Sequence, residues 1–555
     1  MNGTRVAAGR AAEPPGAAAS APVDERIDSL FVTYAGDRPG AVVGIAHRGR
    51  VVCRRAFGLA NLERRVPFGL ATRVPIASVT KHYACAVALV LQADGRLSID
   101  DPIGRWLPEL RGEQGAPTLR QLMTHTSGLR CFLELAVFNG VRTVPADFAL
   151  ATQVRQSTVN FPAGRNFLYS NGGYYLLSLA LERASGRTFD ELVRAHCVDP
   201  AGMEATSAPR SPWPVDPGIA TQYAPHGDSW RHVPPLLEEH LGDGSMVSTV
   251  DDQLTWLAHL RRGEGQVSLQ SLTAPVRLSN GDASAYGFGL ITEHWRGVRI
   301  VHHGGLLLGA SCSLLTVPDE QLDVFVAFNS PAPVRAVTLA IVEEMLGERL
   351  QPAVPAPRTA DHATLPGRYL SDDGCSLANF VDVGGELGYS LFGMPASPLA
   401  GDAPSATRFP FHAPGYAGAI RFEAASPPAT YASVEPGMRR EYRRLPGSQV
   451  RVTDLLAGAE GVFVSDDAAA CLSFVDHAGE LRVRSHGAYG QCDFATSMLA
   501  EDLLRLSPVE YDVGWIARLE RVAGRVEKIV LNSARVRNLR FERRDAGGGA
   551  SHGGT

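Results

Sequence analysis

Two residues of this chain, Ser78 and Lys81, have side chains and a spacing that could support nucleophilic catalysis. If the run Ala77–His82 opens a helix, positions three apart lie on one face, so the hydroxyl and the amine lie one turn apart. A cation beside a serine hydroxyl is one way to make serine reactive at neutral pH. A lone Ser-x-x-Lys is also frequent by chance, and a capped, exposed helix start is the competing interpretation.

Tyr169 and Asn171 form a second candidate group in the run Tyr169-Ser170-Asn171. In an extended segment, side chains two apart point the same way, so both could face one cleft. A tyrosine beside Lys81 would have its phenolate stabilised by the ammonium, and could then take the proton of Ser78 as a general base. Asn171 offers an amide for a substrate carbonyl or for the lysine. The competing interpretation is a tyrosine packed at a strand end.

The third motif, His302-His303-Gly304-Gly305, ends an apolar run that predicts a strand. Glycines let a substrate approach the backbone closely, and a free strand-edge N–H can contribute to an oxyanion hole. Adjacent histidines on a strand point to opposite faces, so at most one serves the site and the pair is unsuited to bind a metal. We assign the site to His302 and interpret His303 as a hydrogen-bonded structural histidine.

These motifs must be positioned by the elements around them. Ser78 is a good N-cap residue, the run after it is rich in Ala, Val and Leu, and Asp94-Gly95 supplies a stop, which predicts a helix over 78–93. Strands at both ends with helices between them predict an α/β layer whose sheet combines N- and C-terminal strands. Further helices are predicted near 172–184, 250–260 and 332–346, and strands at 41–46, 51–53, 56–58, 286–291, 298–302, 311–317 and 322–328.

Length and composition restrict the class of protein. A chain of 555 residues is too long for one core and predicts two to four domains. Its net charge of −5 gives no indication of nucleic acid or an anionic membrane as a partner. Residues 1–22 lack an apolar h-region, no run approaches a membrane span of ~20 apolar residues, and the eight cysteines are scattered. These features predict a cytoplasmic protein with reduced thiols and disordered tails at 1–22 and 546–555.

The part of the chain after Pro352, Pro355 and Pro357 contains an internal repeat. Residues 367–387 recur 94 positions later, and 10 of the 21 pairs are identical. Such identity at a constant offset is not expected by chance. It predicts two copies of one small antiparallel β-barrel, at 356–455 and 456–545.

Taken in order, Ser78-x-x-Lys81, Tyr169-x-Asn171 and His302-x-Gly304 resemble the three motifs of the penicillin-recognising serine hydrolases of the class C β-lactamase type. The resemblance implies a β-lactamase/transpeptidase-like domain over 23–350, with an antiparallel sheet flanked by helices and a helical subdomain. Four further segments resemble that superfamily: Leu122–Leu129, Pro162–Gly164, Pro200–Met203 and Gly244–Thr249.

Two features indicate which members of the superfamily the chain resembles most. Lactamases usually have Lys in the third motif, whereas His302 is similar to the D-aminopeptidases, D-peptidases and esterases. The layout also resembles the D-aminopeptidases, in which a catalytic domain precedes two related, lipocalin-like antiparallel barrels. On this basis the resemblance covers nearly the whole chain.

The resemblance implies the catalytic roles. Ser78 would be the acyl-forming nucleophile, Lys81 would lower the proton affinity of its neighbours, and Tyr169 would be the general base. His302 would replace the lactamase lysine and hold or polarise the region around Tyr169.

The resemblance also implies the substrate contacts. Asn171 and Gly304 would contact the substrate. The backbone N–H groups of Ser78 and Gly305 would form the oxyanion hole.

In the D-aminopeptidase family, a loop from the last barrel reaches the active site and restricts it to substrates with a free amino terminus. The matching loop is expected here within 485–499. Asp493 is its only carboxylate, and we assign it to the substrate ammonium. A solvent-facing aspartate is the competing interpretation.

These inferences predict a serine hydrolase that releases an N-terminal D-amino acid from peptides, amides or esters, without a metal or an organic cofactor. Its expected partner is a small substrate with a free N-terminal D-residue, not nucleic acid or a membrane, and a homodimer is left open. The alternatives on the same fold are another D-stereospecific peptidase, an esterase, a D-Ala-D-Ala carboxypeptidase or a weak β-lactamase. The alternative of another class is a non-catalytic binding protein.

Overall fold

The computed structural model describes residues 23–391, 396–399, 408–413, 416–422, 430–435, 438–446, 458–509 and 514–544. The tails predicted at 1–22 and 546–555 lie outside the described residues. Within the described residues, no helix combines the length and the apolar character needed to cross a membrane.

A six-stranded antiparallel sheet forms the centre of the N-terminal part. Ala41 pairs with Phe328 and His47 with Leu322, so the N-terminal hairpin extends a sheet made of later strands. The predicted sheet that combines N- and C-terminal strands is confirmed. The spatial order of the strands is Ile291–Trp295, Val298–Leu307, Ala310–Val317, Leu322–Phe328, Ala41–His47 and Arg50–Phe57.

The sheet has a core on each face, because alternate side chains of its strands point to opposite sides. Ile300 belongs to one core and Val301 to the other. The helices on the Ile300 side are Val23–Phe31 and Val334–Leu346. The main helices on the Val301 side are Thr80–Ala93, Asn171–Ser185 and Val250–Arg262. Shorter helices lie at Leu119–Met123, Phe132–Ala136, Phe148–Arg155, Phe189–Val193 and Leu269–Leu272.

The start of the helix Thr80–Ala93 differs from the prediction. Ser78 lies in a 3₁₀ turn, Ala77–Val79, and the α-helix after it has no side-chain cap. Ser78 is therefore not the N-cap, and its hydroxyl is not used by the helix backbone. Ala77 has a φ of +46°, a left-handed conformation that is costly for a residue other than glycine.

The C-terminal part contains two eight-stranded antiparallel units. In each unit the first strand pairs with both the second and the last. The second unit is a closed barrel, whereas in the first the fourth and fifth strands do not pair within the residues described. The first unit consists of Gly367–Ser371, Leu377–Val383, Glu386–Leu391, Ser397–Pro398, Arg408–Ala413, Tyr416–Phe422, Thr430–Glu435 and Met438–Arg444. The second consists of Val462–Ser465, Ala470–His477, Glu480–Gly487, Gly490–Ala500, Leu503–Pro508, Trp515–Val522, Arg525–Asn532 and Leu539–Arg544.

Phe138 joins the closed barrel to the N-terminal part. Its ring is fully buried and lies 5.3 Å from Phe494, 4.7 Å from Trp515 and 5.5 Å from Phe541, measured between ring centroids. Leu135 belongs to the same core. The interior of the barrel is thus partly filled by side chains from the N-terminal part. The exact domain boundaries of the sequence analysis stay predictions.

Candidate active site

Ser78 and Lys81 lie where the helix Thr80–Ala93 begins. Lys81 Nζ donates a hydrogen bond to Ser78 Oγ at 3.0 Å and another to the carbonyl oxygen of Asp243 at 2.6 Å. Lys81 is fully buried, whereas Ser78 is half-buried. The structure therefore brings together a hydroxyl that solvent can reach and a cation on its buried side.

The charge of Lys81 is compensated without a carboxylate contact. A buried ammonium is costly unless it is paired or hydrogen-bonded, and among the described residues no carboxylate oxygen lies within 4.0 Å of Nζ. The rings of Tyr169 and Tyr174 lie 5.1 and 5.5 Å from Nζ, within the range of cation–π attraction. The Asp243 carbonyl supplies the remaining contact. Sequence reasoning missed it because a main-chain acceptor has no side-chain signature.

Tyr169 lies just before the helix Asn171–Ser185 and packs against His125. The two ring centroids are 4.1 Å apart, and His125 Nδ1 accepts the backbone N–H of Ser170 at 3.1 Å. The Tyr169 hydroxyl makes no hydrogen bond to Ser78 or Lys81 within the described part of the chain. Hydrogen bonds of a general base are often long in a free enzyme and shorten when substrate binds.

Asn171 is the first residue of that helix. Its Oδ1 is buried and has no hydrogen-bond partner among the residues that the structure describes. Buried polar atoms are normally satisfied. A substrate N–H could supply the missing donor.

The assignment of His302 to the site is wrong, because the side chain lies on the other face of the sheet. His302 Nε2 lies 2.8 Å from Glu293 Oε1 and 3.3 Å from an Arg335 nitrogen, on the side of the helix Val334–Leu346. His303 points to the face that carries Ser78, and its ring centroid is 6.3 Å from that of Tyr169. Because adjacent side chains of a strand point to opposite faces, only one of the two histidines can face Ser78.

His303 is held in one tautomer. Its Nδ1 lies 2.7 Å from the carbonyl oxygen of Gly304, which can only accept, so Nδ1 carries the proton. Nε2 then accepts the hydroxyl of Tyr286 at 3.0 Å. Burial, together with the nearby charge of Lys81, holds the pKa of His303 well below its usual range. The imidazole is therefore neutral.

Of the two glycines, Gly305 is the one that approaches the nucleophile turn. A Cβ on Gly305 would lie 2.4 Å from the carbonyl oxygen of Ile76 and 3.1 Å from the Cβ of Ala77. A Cβ on Gly304 would meet nothing closer than 3.8 Å. The strand can therefore lie beside Ser78 only because residue 305 has no side chain. His303-x-Gly305, one residue later than the predicted pattern, is the pair that faces Ser78.

The assignment of Asp493 to a substrate ammonium is also wrong. Asp493 lies within the strand Gly490–Ala500, and both its oxygens accept hydrogen bonds from Arg484, at 2.7 and 2.8 Å. That guanidinium lowers the pKa of the Asp493 carboxyl. The hairpin tip of this segment packs on Asn139 and Gly140, not on Ser78.

A different segment of the closed barrel reaches the site. The loop 533–538 connects the last two strands, and the guanidinium carbon of Arg535 lies 5.3 Å from the ring centroid of Tyr169. No local motif marks this residue in the sequence. It is a site neighbour that only the fold reveals.

Comparison with known proteins agrees with this architecture. A family model described as beta-lactamase matches residues 23–344. The D-aminopeptidase of Cereibacter sphaeroides strain KD131 is 31% identical over 366 residues, which are 63% of this chain and 67% of that protein. The D-aminopeptidase of Brucella canis is 29% identical over 364 residues, 64% of this chain and 68% of that protein. An octameric penicillin-binding protein homologue from Pyrococcus abyssi shares the fold, with a TM-score of 0.53 and 21% identity over 76% of this chain and 99% of that one.

The chain therefore belongs to the beta-lactamase family. It is a serine hydrolase of that family, with a closed antiparallel barrel in its C-terminal part.

Proposed function

We propose that this enzyme releases an N-terminal D-amino acid from short peptides or amides through an acyl-enzyme on Ser78. The observation that carries the proposal is the 3.0 Å contact between Lys81 Nζ and Ser78 Oγ at the edge of the buried site. The D-aminopeptidases of Cereibacter sphaeroides and Brucella canis, which are 31% and 29% identical to the aligned 63% and 64% of this chain, support the substrate class.

In the proposed mechanism, Ser78 Oγ attacks the scissile carbonyl while Tyr169 takes its proton, and Lys81 stabilises the phenolate. The backbone N–H groups of Ser78 and Gly305 hold the oxyanion. The leaving amine takes the proton from Tyr169, and a D-aminoacyl ester remains on Ser78. Water then attacks this ester with Tyr169 as base, which releases the D-amino acid and restores the serine hydroxyl.

His303 is assigned a positioning role. As a neutral imidazole it orients the hydroxyl of Tyr286, whose ring centroid lies 6.3 Å from that of Tyr169. The rings of Tyr169 and Tyr286 both pack against His125, with centroid distances of 4.1 and 4.6 Å.

The nucleophile is tested by intact-mass measurement with a fluorophosphonate probe. One adduct is expected on the wild-type protein and none on Ser78→Ala. An adduct that persists on Ser78→Ala would refute the assignment.

The substrate class is tested with D-Ala-p-nitroanilide, L-Ala-p-nitroanilide and nitrocefin. Preferential turnover of D-Ala-p-nitroanilide is expected. Equal rates for the D- and L-substrates would refute D-stereospecificity, and faster nitrocefin hydrolysis would favour the lactamase alternative.

A further inference from the structure

Arg535, in a loop of the barrel, and Lys81, in the helix that follows Ser78, both lie near the ring of Tyr169. Its guanidinium carbon lies 5.3 Å from the centroid of Tyr169, and Lys81 Nζ lies 5.1 Å from the same centroid. Lys81 is fully buried and bonded to Ser78, whereas the side chain of Arg535 is 35% exposed. Arg535 therefore lies on the solvent side of the proposed general base.

The backbone of Arg535 is fixed by the N-terminal part. Its N–H donates to Glu134 Oε2 at 3.2 Å, and its carbonyl oxygen accepts from Asn160 Nδ2 at 3.1 Å. The hydroxyl of Ser533 also donates to Glu134. Arg537 N donates to Asn160 Oδ1 at 2.8 Å. The loop is thus held at the site by main-chain contacts that do not need the Arg535 side chain.

The guanidinium itself is weakly engaged. Its Nε lies 3.9 Å from Glu134 Oε1, at the limit of an ion pair, and the guanidinium also has a side-chain contact with the thiol of Cys131. Arg130, in the same interface, has a guanidinium with many hydrogen-bond partners. It is fully buried and its NH groups bond Asp467, Gln156, Thr158 and backbone carbonyls. Arg130 serves the interface, whereas the side chain of Arg535 has only weak partners, Glu134 and Cys131.

We propose that Arg535 binds a carboxylate of the substrate, so that this enzyme prefers D-amino-acid substrates that carry one beside the scissile bond. A planar guanidinium matches the paired oxygens of a carboxylate, which is a stronger acceptor than the neutral thiol of Cys131 that Arg535 contacts. The carboxylate of Asp493 cannot neutralise Arg535, because it is bound to Arg484 elsewhere on the barrel. The proposal rests on the proposed function, since it concerns the substrate that Ser78 attacks.

The carboxylate could belong to the D-residue or to the leaving group. Two matched substrate pairs distinguish these sources. D-Glu-p-nitroanilide and D-Gln-p-nitroanilide differ only in a charge on the acyl side. D-Ala-D-Ala and its C-terminal amide differ only in a charge on the leaving side. In one pair, wild-type kcat/KM should favour the charged member by about tenfold or more.

Three variants test the residue itself. In Arg535→Ala the preference should vanish, mainly through a higher KM for the charged member, while the uncharged member changes by less than about threefold. Arg535→Lys should keep part of the preference, because it keeps the charge without the paired donors. Arg535→Glu should favour the uncharged member. Arg525→Ala, at the far end of the strand that leads into the loop, is the matched control and should behave as wild type.

The outcomes separate this proposal from the function on which it rests. Turnover and a Ser78 adduct without a preference in either pair would overturn the role of Arg535 alone. A preference that survives in Arg535→Ala would overturn it as well. The absence of both an adduct and turnover of all four substrates would refute the proposed function. Retained melting temperature in Arg535→Lys shows that the loop is intact.

Discussion

At the scale of single residues, the hydrogen bonds of the neutral imidazole of His303 connect it to the ring next to Tyr169. His303 donates from Nδ1 to a carbonyl oxygen and accepts at Nε2 from Tyr286. Both contacts are matched to one tautomer, so His303 can orient Tyr286 without carrying charge.

Replacement of His303 by glutamine should lower kcat/KM by about 100-fold, because it releases Tyr286 and the ring of Tyr169 beside it. His302→Gln, one position away, should change kcat/KM by less than about threefold, since its contacts are on the other face. Steady-state kinetics with D-Ala-p-nitroanilide compares the two. Equal losses, or a larger loss in His302→Gln, would contradict the placement of the two side chains.

Buried histidines also predict how stability depends on pH. Burial is the main cause that lowers the pKa of His82, to about 3, and those of His125 and His303 well below the usual range. In the unfolded chain each would bind a proton near pH 6.5. The contribution of these histidines to stability is therefore constant above about pH 6.5 and falls below it, by about 1.4 kcal/mol per histidine per pH unit until the folded pKa is reached.

Thermal unfolding measured from pH 7.5 to 4.5 checks this expectation. The melting temperature should fall below pH 6.5. His82→Gln keeps an acceptor for the Trp256 N–H, which donates to His82 at 2.7 Å, and should show a shallower fall. An unchanged slope in His82→Gln would show that His82 does not contribute.

At the scale of elements, the site depends on the close approach of the strand Val298–Leu307 to the turn Ala77–Val79. Gly305→Ala would place a methyl group 2.4 Å from the Ile76 carbonyl oxygen, so the turn that carries Ser78 must move. We expect a loss of about 100-fold in kcat/KM, which a shift of about 1 Å at the nucleophile can cause. Gly304→Ala, with no contact closer than 3.8 Å, should keep most activity. Comparable kinetics for the two variants would refute this packing argument.

The elements show what the sequence could and could not predict. The helix that follows Ser78 and five strands of the central sheet have clear periodicity and stop signals, and they lie close to the predicted ranges. The strand predicted at 286–291 is wrong, because the edge strand of the sheet is Ile291–Trp295. The sequence His302-His303-Gly304-Gly305 contains the His-x-Gly pattern in two registers one residue apart, and no local signal distinguishes them. Only the pairing of the strand within the sheet decides which histidine faces Ser78.

Other parts of the site had no local signal. Arg535 reaches Tyr169 from a loop more than 300 residues further along the chain, and its position depends on Glu134 and Asn160. Asp493 lies on a regular strand, where it forms an ion pair with Arg484 on the neighbouring strand. Contacts of this kind depend on how the parts of the chain pack, which neither periodicity nor a motif records.

At the scale of the whole molecule, Phe138 couples the catalytic part to the barrel. Phe138→Ala removes a fully buried ring from a core shared with Trp515, and should cost about 3–5 kcal/mol of unfolding free energy. Val522→Ala, at a residue that is 65% exposed on the same barrel, should stay within about 0.5 kcal/mol of wild type. Chemical denaturation followed by tryptophan fluorescence measures both. Equal midpoints for the two variants would show that the ring does not hold the parts together.

The filled interior of the barrel has a consequence for how this enzyme could diversify. Phe138 and Leu135 of the N-terminal part lie in the core of the barrel, and the barrel loop 533–538 lies beside Tyr169 of the N-terminal part. The residues proposed for bond cleavage and the residue proposed for substrate selection then lie in separate parts of the chain. If Arg535 binds the substrate as proposed, changes in this six-residue loop would alter the choice of substrate while Ser78 and Lys81 stay in place.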